Sequence, residues 1–341
     1  MRKEMGFVSA ILPVLLAGCM SQSLYESAAT NHPATPTLPK ETPWEETVRS
    51  QPNPTILTVA PEPTRTVLQT TFAIGGDVML GRSVNTETIE AGNPNWPFLN
   101  VGEKLREVDI TIINLEGPIL DPCPPDDISV LFCSPTTSVE ALKFAGIDVA
   151  NLANNHLWDK NQEGYASTVN VLEENGIKPI DQDHLVIIDR GGVKFGVIGF
   201  NLIKQAPYYK GSNEEEILAK IKEIDSQVDV LMVNFHWGKE YETEHNGKQE
   251  KLAHFAIEAG ADLIIGHHPH VTQDTEVYQN KLIIYSLGNL IFDQPWPDTK
   301  KGLVAILEYE GVELISSSFL PVEIKNYGQP QFVLEAQEYK D

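Results

Sequence analysis

The sequence predicts an α/β fold, either a mixed sheet covered by helices or two such sheets stacked. Three observations predict it. Short apolar runs alternate with amphipathic stretches from Thr70 onward. Tight-turn dipeptides join several of those runs as hairpins. The apolar runs end repeatedly in Asp, Glu, Asn or His, which is where α/β sheets gather their ligands.

The strands are read, in order, at "TTFAIGG", "DITIINL", "DVANLAN", "HLVIID", "VKFGVIGF", "VDVLMVNF", "ADLIIG" and "KLIIYSL". Helical patterns lie between many of them, short at 101–108 and 138–145, longer at 164–175, 214–226 and 248–259. Gly191-Gly192 and Gln279-Asn280 read as hairpin turns, and "ILEYEGVELISSSFLPVEI" as a further hairpin turning at Glu310-Gly311. Alternating strands and helices with interspersed hairpins require a mixed sheet. No internal repeat is visible. Residues 70–341 are therefore expected to form one large domain.

The segment before it is of another kind. Arg2 and Lys3 precede an apolar run, Phe7 to Ala17, too short to span a bilayer as a mature helix. Leu16-Ala17-Gly18-Cys19 has the form of a bacterial lipobox, so residues 1–19 are expected to be a lipoprotein signal peptide and Cys19 the lipidated residue. An ordinary signal peptide is the alternative, and export follows from either. Residues 20–69 are rich in Pro, Thr and Ser, with eight prolines from Pro33 to Pro63, and read as a disordered tether. Cys123 and Cys133, the remaining cysteines, could close a disulfide in an oxidising compartment or stay as two free thiols.

Charge narrows the function. A formal net charge of −23 excludes nucleic acid as partner, because phosphate recognition needs a basic surface. An anionic ligand would have to be held by a local positive centre, such as a metal or an aimed arginine. The residues at the strand ends supply such a centre. "TFAIGG" runs into Asp77, "DITIINL" into Glu116, "DVANLA" into Asn154, Asn155 and His156, "DVLMVNF" into His236, and "DLIIG" into His267, His268 and His270. Singly, each has a bland reading: a helix cap for Asp77, turn residues for the asparagines, a core histidine for His236. The repeated placement is what argues for one ring of ligands. A mixed Asp, Glu, Asn and His set suits a borderline or hard divalent ion.

The motifs "GGDVMLGRSV", "NLEGPI", "NLANNHLWD", "FHWGKEY", "IGHHPHV" and "YSLGNLIFDQ" resemble, in order and spacing, those of the CapA family of capsule and poly-γ-glutamate biosynthesis proteins, a branch of the calcineurin-like metallophosphatase superfamily. The resemblance runs from about Phe72 to Gln294. It implies a metallophosphatase-like α-β-β-α sandwich of two stacked mixed sheets flanked by helices. It implies metal ligands at Asp77, Glu116, Asn155, His236, His268 and His270, with His267 spare, holding one or two divalent ions (Mn, Zn or Fe). Two positions depart from the superfamily pattern. Met79 stands where a histidine ligand is expected, and Glu116 where an aspartate is. His156 matches the general acid, and Asp159 could orient it or cap the next helix. Arg82 could clamp a carboxylate or phosphate, or form a surface salt bridge. Asn289 and Asp293 read as a loop returning to the mouth of the site, with Trp237 and Tyr241 packing there or covering the sheet edge.

The implied function is that of a lipid-anchored surface protein in capsule or poly-γ-glutamate synthesis or export. Its partners would be the membrane, the anionic polymer and a membrane-bound polymer synthase. A metal-dependent hydrolase of a phosphoester or polymer amide, and a non-catalytic polymer-binding protein of the same fold, are the alternatives.

Overall fold

Phe72 and Ile74 face one side of the first strand and Ala73 the other, and this two-residue alternation sets the layering of the domain. The computed structural model describes residues 68–126, 129–204 and 212–333, all within the unit Pro63–Asp341. Cys19, the segment 1–19 and the tether as far as residue 67 lie outside the described residues.

The chain runs β1 (Gln69–Val78), α1 (Arg82–Glu90), α2 (Gly102–Leu105), β2 (Ile110–Leu115), α3 (Val139–Ala145), β3 (Val149–Asn151), α4 (Asn161–Glu174) and β4 (Lys178–Ile180). It continues through β5 (Val186–Arg190), β6 (Val193–Asn201), α5 (Glu214–Asp225), β7 (Val230–His236), α6 (Gly247–Glu258) and β8 (Leu263–His267). It closes with β9 (Thr275–Tyr278), β10 (Lys281–Ile284), β11 (Asn289–Ile291), β12 (Lys301–Glu310), β13 (Glu313–Lys325) and β14 (Gln329–Phe332).

Two mixed sheets result. One has the order β14-β13-β12-β1-β2-β3-β4, with β11 also on β1, and the other β5-β6-β7-β8-β10-β9. The strands β1 to β4 are parallel to one another, as are β6, β7, β8 and β10. Phe72, Ile74, Ile112 and Val149 of the first sheet meet Phe195, Met232, Leu263 and Ile265 of the second in a core between the sheets. Phe72, Phe195 and Tyr309 meet there edge-on or tilted, with centroids 5.1 to 5.7 Å apart. The opposite faces are covered by helices. Leu142 and Leu172 of α3 and α4 pack on the first sheet, and Ile217, Ile221, Leu252 and Ala256 of α5 and α6 on the second. This is the metallophosphatase-like α-β-β-α sandwich. Among the described residues no helix is long and apolar enough to cross a membrane.

The expected strands and the three longer helices are present, with bounds shifted by a few residues. The helix read over 101–108 shrinks to the single turn of α2. α1 gives no clear periodic signal, because only Val84 and Asn85 of its residues are buried and no side chain caps it. β4 contains Pro179, which weighs against a central strand, and the structure puts it at the sheet edge where proline is tolerated. β11, three residues long, is below what periodicity can register.

Candidate metal centre

Asp77 sits near the carboxyl end of β1 because the chain before it can press against its neighbour. A Cβ on Gly76 would lie 1.9 Å from the Gly288 carbonyl oxygen, and the Asp77 N–H donates to that oxygen at 2.9 Å. Gly266, which precedes the histidine cluster, is constrained in the same way by the Tyr285 carbonyl, 1.9 Å from its would-be Cβ. Two ligand-bearing strand ends therefore depend on a missing side chain.

Around Asp77 the structure gathers residues far apart in the chain. One carboxylate or imidazole atom each from Asp77, Glu116 and His236 lies within 4.8 Å of the others, and all three residues are buried. Asn155 Oδ1 is 2.6 Å from His236 Nε2. His270 Nδ1 lies 3.2 Å from Asp77 Oδ2, and its Nε2 lies 3.6 Å from Glu116 Oε1. The His236 and His268 rings are 4.8 Å apart, and the His268 and His270 rings 5.9 Å. His267 lies against the other carboxylate oxygen of Asp77, with Nδ1 at 3.5 Å from Asp77 Oδ1 and Nε2 at 3.2 Å from Asn234 Oδ1. His268 and His270 have φ of 97° and 58°, left-handed backbone that costs non-glycine residues of order 1–3 kcal/mol each.

A layer of asparagines holds the ligands. Asn114 Nδ2 donates to Asp77 Oδ1 at 2.8 Å, while its own Oδ1 accepts from Asn151 and Asn154. Asn289 Oδ1 accepts from His270 Nδ1 at 2.9 Å and fixes that ring with Nε2 turned toward Glu116.

Burial and neighbouring charges order the protons. Burial pushes the Glu116 carboxyl up to about 8, with the His270 charge opposing. Burial alone would lower His270, but Glu116 and Asp77 outweigh it and raise the imidazole to about 9. Burial also opposes ionisation of Asp77, yet hydrogen bonds from His267 and His270 hold it well below the usual carboxylate range. Burial and the charge of His270 depress His268 to about 3, and burial with the charge of His268 keeps His236 well below its ordinary value. His236 and His268 are thus neutral imidazoles near pH 7, the form that ligates metal.

Three of the expected ligands carry an orphaned atom. Glu116 Oε1, His236 Nδ1 and His268 Nδ1 are buried with no hydrogen-bond partner, as is Nδ1 of the neighbouring His267, at about 1–3 kcal/mol each. Orphaned oxygen and nitrogen donors, gathered beside an ionised Asp77, fit a divalent cation. Met79 contributes nothing to that set. Its side chain is fully buried in the helix-side core, and its Sδ accepts from the Gly81 N–H at 3.1 Å.

Beside the cluster stands an acid–base pair. His156 Nδ1 is 2.7 Å from Asp159 Oδ2, which also accepts from the Phe132 N–H, and its Nε2 is 3.7 Å from Glu116 Oε1. The ring stacks on Phe132 at 3.8 Å. Asp159 caps no helix; α4 starts after Lys160. Arg82 forms a salt bridge, the plainer of its two expected roles, with a buried partner. Its guanidinium is bound two-pronged by Asp293, whose side chain is 1% exposed, and lies over the Phe132 ring at 5.0 Å. Trp237 is buried and donates to the Tyr285 carbonyl, whereas half-exposed Tyr241 leans over the rim, 6.4 Å from the His270 ring. Cys123 and Cys133 are joined in a disulfide.

One residue at the site escapes sequence reasoning. A carboxylate oxygen of Glu240 lies within 4.8 Å of nitrogen atoms of His268 and His270. The signal is present in "FHWGKEY", a motif in which the histidine draws the eye and an acidic residue passes as solvated surface.

Comparisons with known proteins give the family and the fold. A family model described as bacterial capsule synthesis protein PGA_cap matches residues 71–294. The capsule biosynthesis protein CapA of Bacillus anthracis is 32% identical over 274 residues, 74% of this chain and 66% of that protein. The PGA biosynthesis protein CapA of Bacillus subtilis is 30% identical over 261 residues, 71% of this chain and 67% of its own. The chain thus spans about two thirds of the length of these relatives. A phosphatase from Mycoplasma pneumoniae superposes with a TM-score of 0.53 at 15% identity, covering 75% of this chain and 94% of that one. A hypothetical protein from Thermus thermophilus reaches 0.50 at 17% identity, covering 75% and 100%. At such identities the likeness is one of fold.

Proposed function

This chain belongs to the bacterial capsule synthesis (PGA_cap) family, and from that premise we propose that it is an exported, lipid-anchored accessory of anionic polymer assembly carrying a metal-dependent hydrolytic site. The anchor would be Cys19, and the polymer one of the capsule or poly-γ-glutamate kind that its relatives are named for. The observation that carries the hydrolytic reading is the group of buried, unpartnered donors at Glu116, His236 and His268, set beside a histidine already oriented by a carboxylate.

Asp77, Glu116, Asn155, His236, His268 and His270 would hold one or two divalent ions between them. When bound, a divalent ion lowers the pKa of water and polarises the substrate oxygen. Asp159 keeps the proton on His156 Nδ1 and turns Nε2 toward the cluster, where that nitrogen can deliver a proton to the leaving group of a phosphoester or amide. Phe132 covers one face of the imidazole and excludes water from it. A chain of net charge −23 repels a polyanion, so the cation would also be the local positive centre drawing one anionic group of the polymer to this rim.

Elemental analysis of the full chain tests the reading, together with hydrolysis of bis-p-nitrophenyl phosphate with and without chelator. The wild type is expected to carry a divalent ion and to lose activity in chelator. His268→Ala should lose the ion. His156→Ala should keep it while turnover falls by roughly 10²–10⁴. A wild type that takes up no ion would refute the site. The buried, core-packed Met79 favours a second reading, a polymer-binding protein without turnover; bound metal without chelator-sensitive hydrolysis would select it.

A further inference from the structure

Glu240 has no role among the six ligands of the centre, and it stands at the mouth of it. The loop between β7 and α6 leaves His236, turns at Gly238 with φ of 85°, and is pinned where the Tyr241 N–H donates to the Pro269 carbonyl at 2.8 Å. Pro269 lies between the two left-handed histidines, so this bond ties the loop to the segment carrying His268 and His270. One carboxylate oxygen of Glu240 and one nitrogen from each of those histidines lie within 4.8 Å of one another. Donors held around 2.0–2.2 Å from one ion are separated by about that much or less. A solvated surface acid needs no such neighbours. A second observation points to a ligand here: His268 is 5% exposed, and its Nδ1 has no hydrogen-bond partner.

We propose that Glu240 is a further metal ligand, reaching the centre from the rim beside His268 and His270 and biasing it toward a harder ion such as Mn²⁺ over Zn²⁺. The proposal rests on the reading of the cluster as a metal centre. A carboxylate at this position supplies a hard anionic oxygen, and Met79, its sulfur engaged with the Gly81 N–H, supplies no competing soft donor. Because Glu240 is exposed, it would complete the coordination from the solvent side.

The test is Mn²⁺ and Zn²⁺ affinity of the full chain by calorimetry with chelator competition, for wild type, Glu240→Gln, Glu240→His, Glu242→Gln and Asp77→Asn. Glu242→Gln makes the same charge change two residues along the loop, where the native side chain pairs with Lys239. Loss of a ligand should weaken Mn²⁺ binding by roughly 10–100-fold in Glu240→Gln and leave Glu242→Gln near wild type. The loss should persist in 1 M KCl, where screening acts within about 3 Å. Glu240→His should regain affinity and shift the ratio toward Zn²⁺. A Glu240→Gln protein that binds Mn²⁺ like the wild type, or differs only at low salt, overturns the proposal while Asp77→Asn still loses the ion. If the wild type binds neither metal, the underlying centre fails as well.

Discussion

Removing metal should turn the centre into a pH-sensitive weakness, and the sign and size follow from the proton positions. In the metal-free protein Glu116 keeps its proton up to about 8 against an ordinary 4.5. His270 keeps its proton up to about 9 against an ordinary 6.5. Both groups bind more protons folded than unfolded within those windows, so stability falls as pH rises through them. His236 and His268 act oppositely, being neutral when folded and protonated when unfolded below 6.5. They raise stability with pH up to that point and contribute no slope beyond it. Above 6.5 the Glu116–His270 pair acts alone.

These two groups touch, so one extra proton for the pair is the safe count. One proton is worth about 1.4 kcal/mol per pH unit. Between pH 6.5 and 8 the metal-free domain should therefore lose about 2 kcal/mol, or roughly 4–8 °C in melting temperature for a domain of this size. A bound divalent ion would displace that proton and would bind more tightly as pH rises. Melting curves in chelator should slope downward from pH 6.5 to 8, and saturating Mn²⁺ should flatten or reverse the slope. A metal-free melting temperature that is constant or climbs over that interval would refute the proton assignment, and with it the account of how the empty ligands are balanced.

Other perturbations read other parts of the structure. Arg82→Met leaves the Asp293 carboxylate buried without its cation and should cost roughly 3 kcal/mol by denaturant unfolding, the low end for a buried pair because the guanidinium is 20% exposed. Phe72→Ala empties the contact of three rings between the sheets and should cost about 3–5 kcal/mol in the same assay. Asp159→Asn replaces the carboxylate facing His156 Nδ1 with a neutral amide and should lower turnover with metal content unchanged by elemental analysis. Gly76→Ala drives a methyl to 1.9 Å from the Gly288 carbonyl and should lower both melting temperature and metal occupancy, since Asp77 is the next residue.

Much of this site is legible in the sequence because strand ends are. Asp77, Glu116, His236 and the 267–270 cluster each follow an apolar run, and parallel strands in an α/β sheet deliver such residues to a common edge. What cannot be read depends on side-chain competition between segments far apart. Arg82 is legible as a charged residue near Asp77, but its partner lies 211 residues away. Glu240 carries no periodic mark, since its position comes from a loop bond to Pro269. Small pieces of the fold escape for similar reasons. β4 and β11 are three residues each, too short for any alternation; β11 takes its ladder from the ten-residue β1, and β4 pairs with β3, itself three residues long.

The asparagines explain why this edge is rigid enough to hold so many unsatisfied donors. Asn114, Asn151 and Asn154 are buried, and each satisfies its amide against another strand end or a backbone carbonyl. Apolar residues there would pack as well but would leave Asp77 Oδ1 without the Asn114 donor, and an ionised carboxylate in that position cannot be left short of partners. Histidines or carboxylates there would add charge to a cluster already holding Asp77, Glu116 and His270. A neutral amide gives both a donor and an acceptor without changing the charge the ion must balance. The sheet edge thus separates two tasks: ionisable groups face the proposed cation position, and amides immediately behind them fix their orientation. On that division an asparagine such as Asn114 should tolerate replacement by Asp far worse than its near-identical size suggests, because the exchange turns the donor facing Asp77 into a second anion.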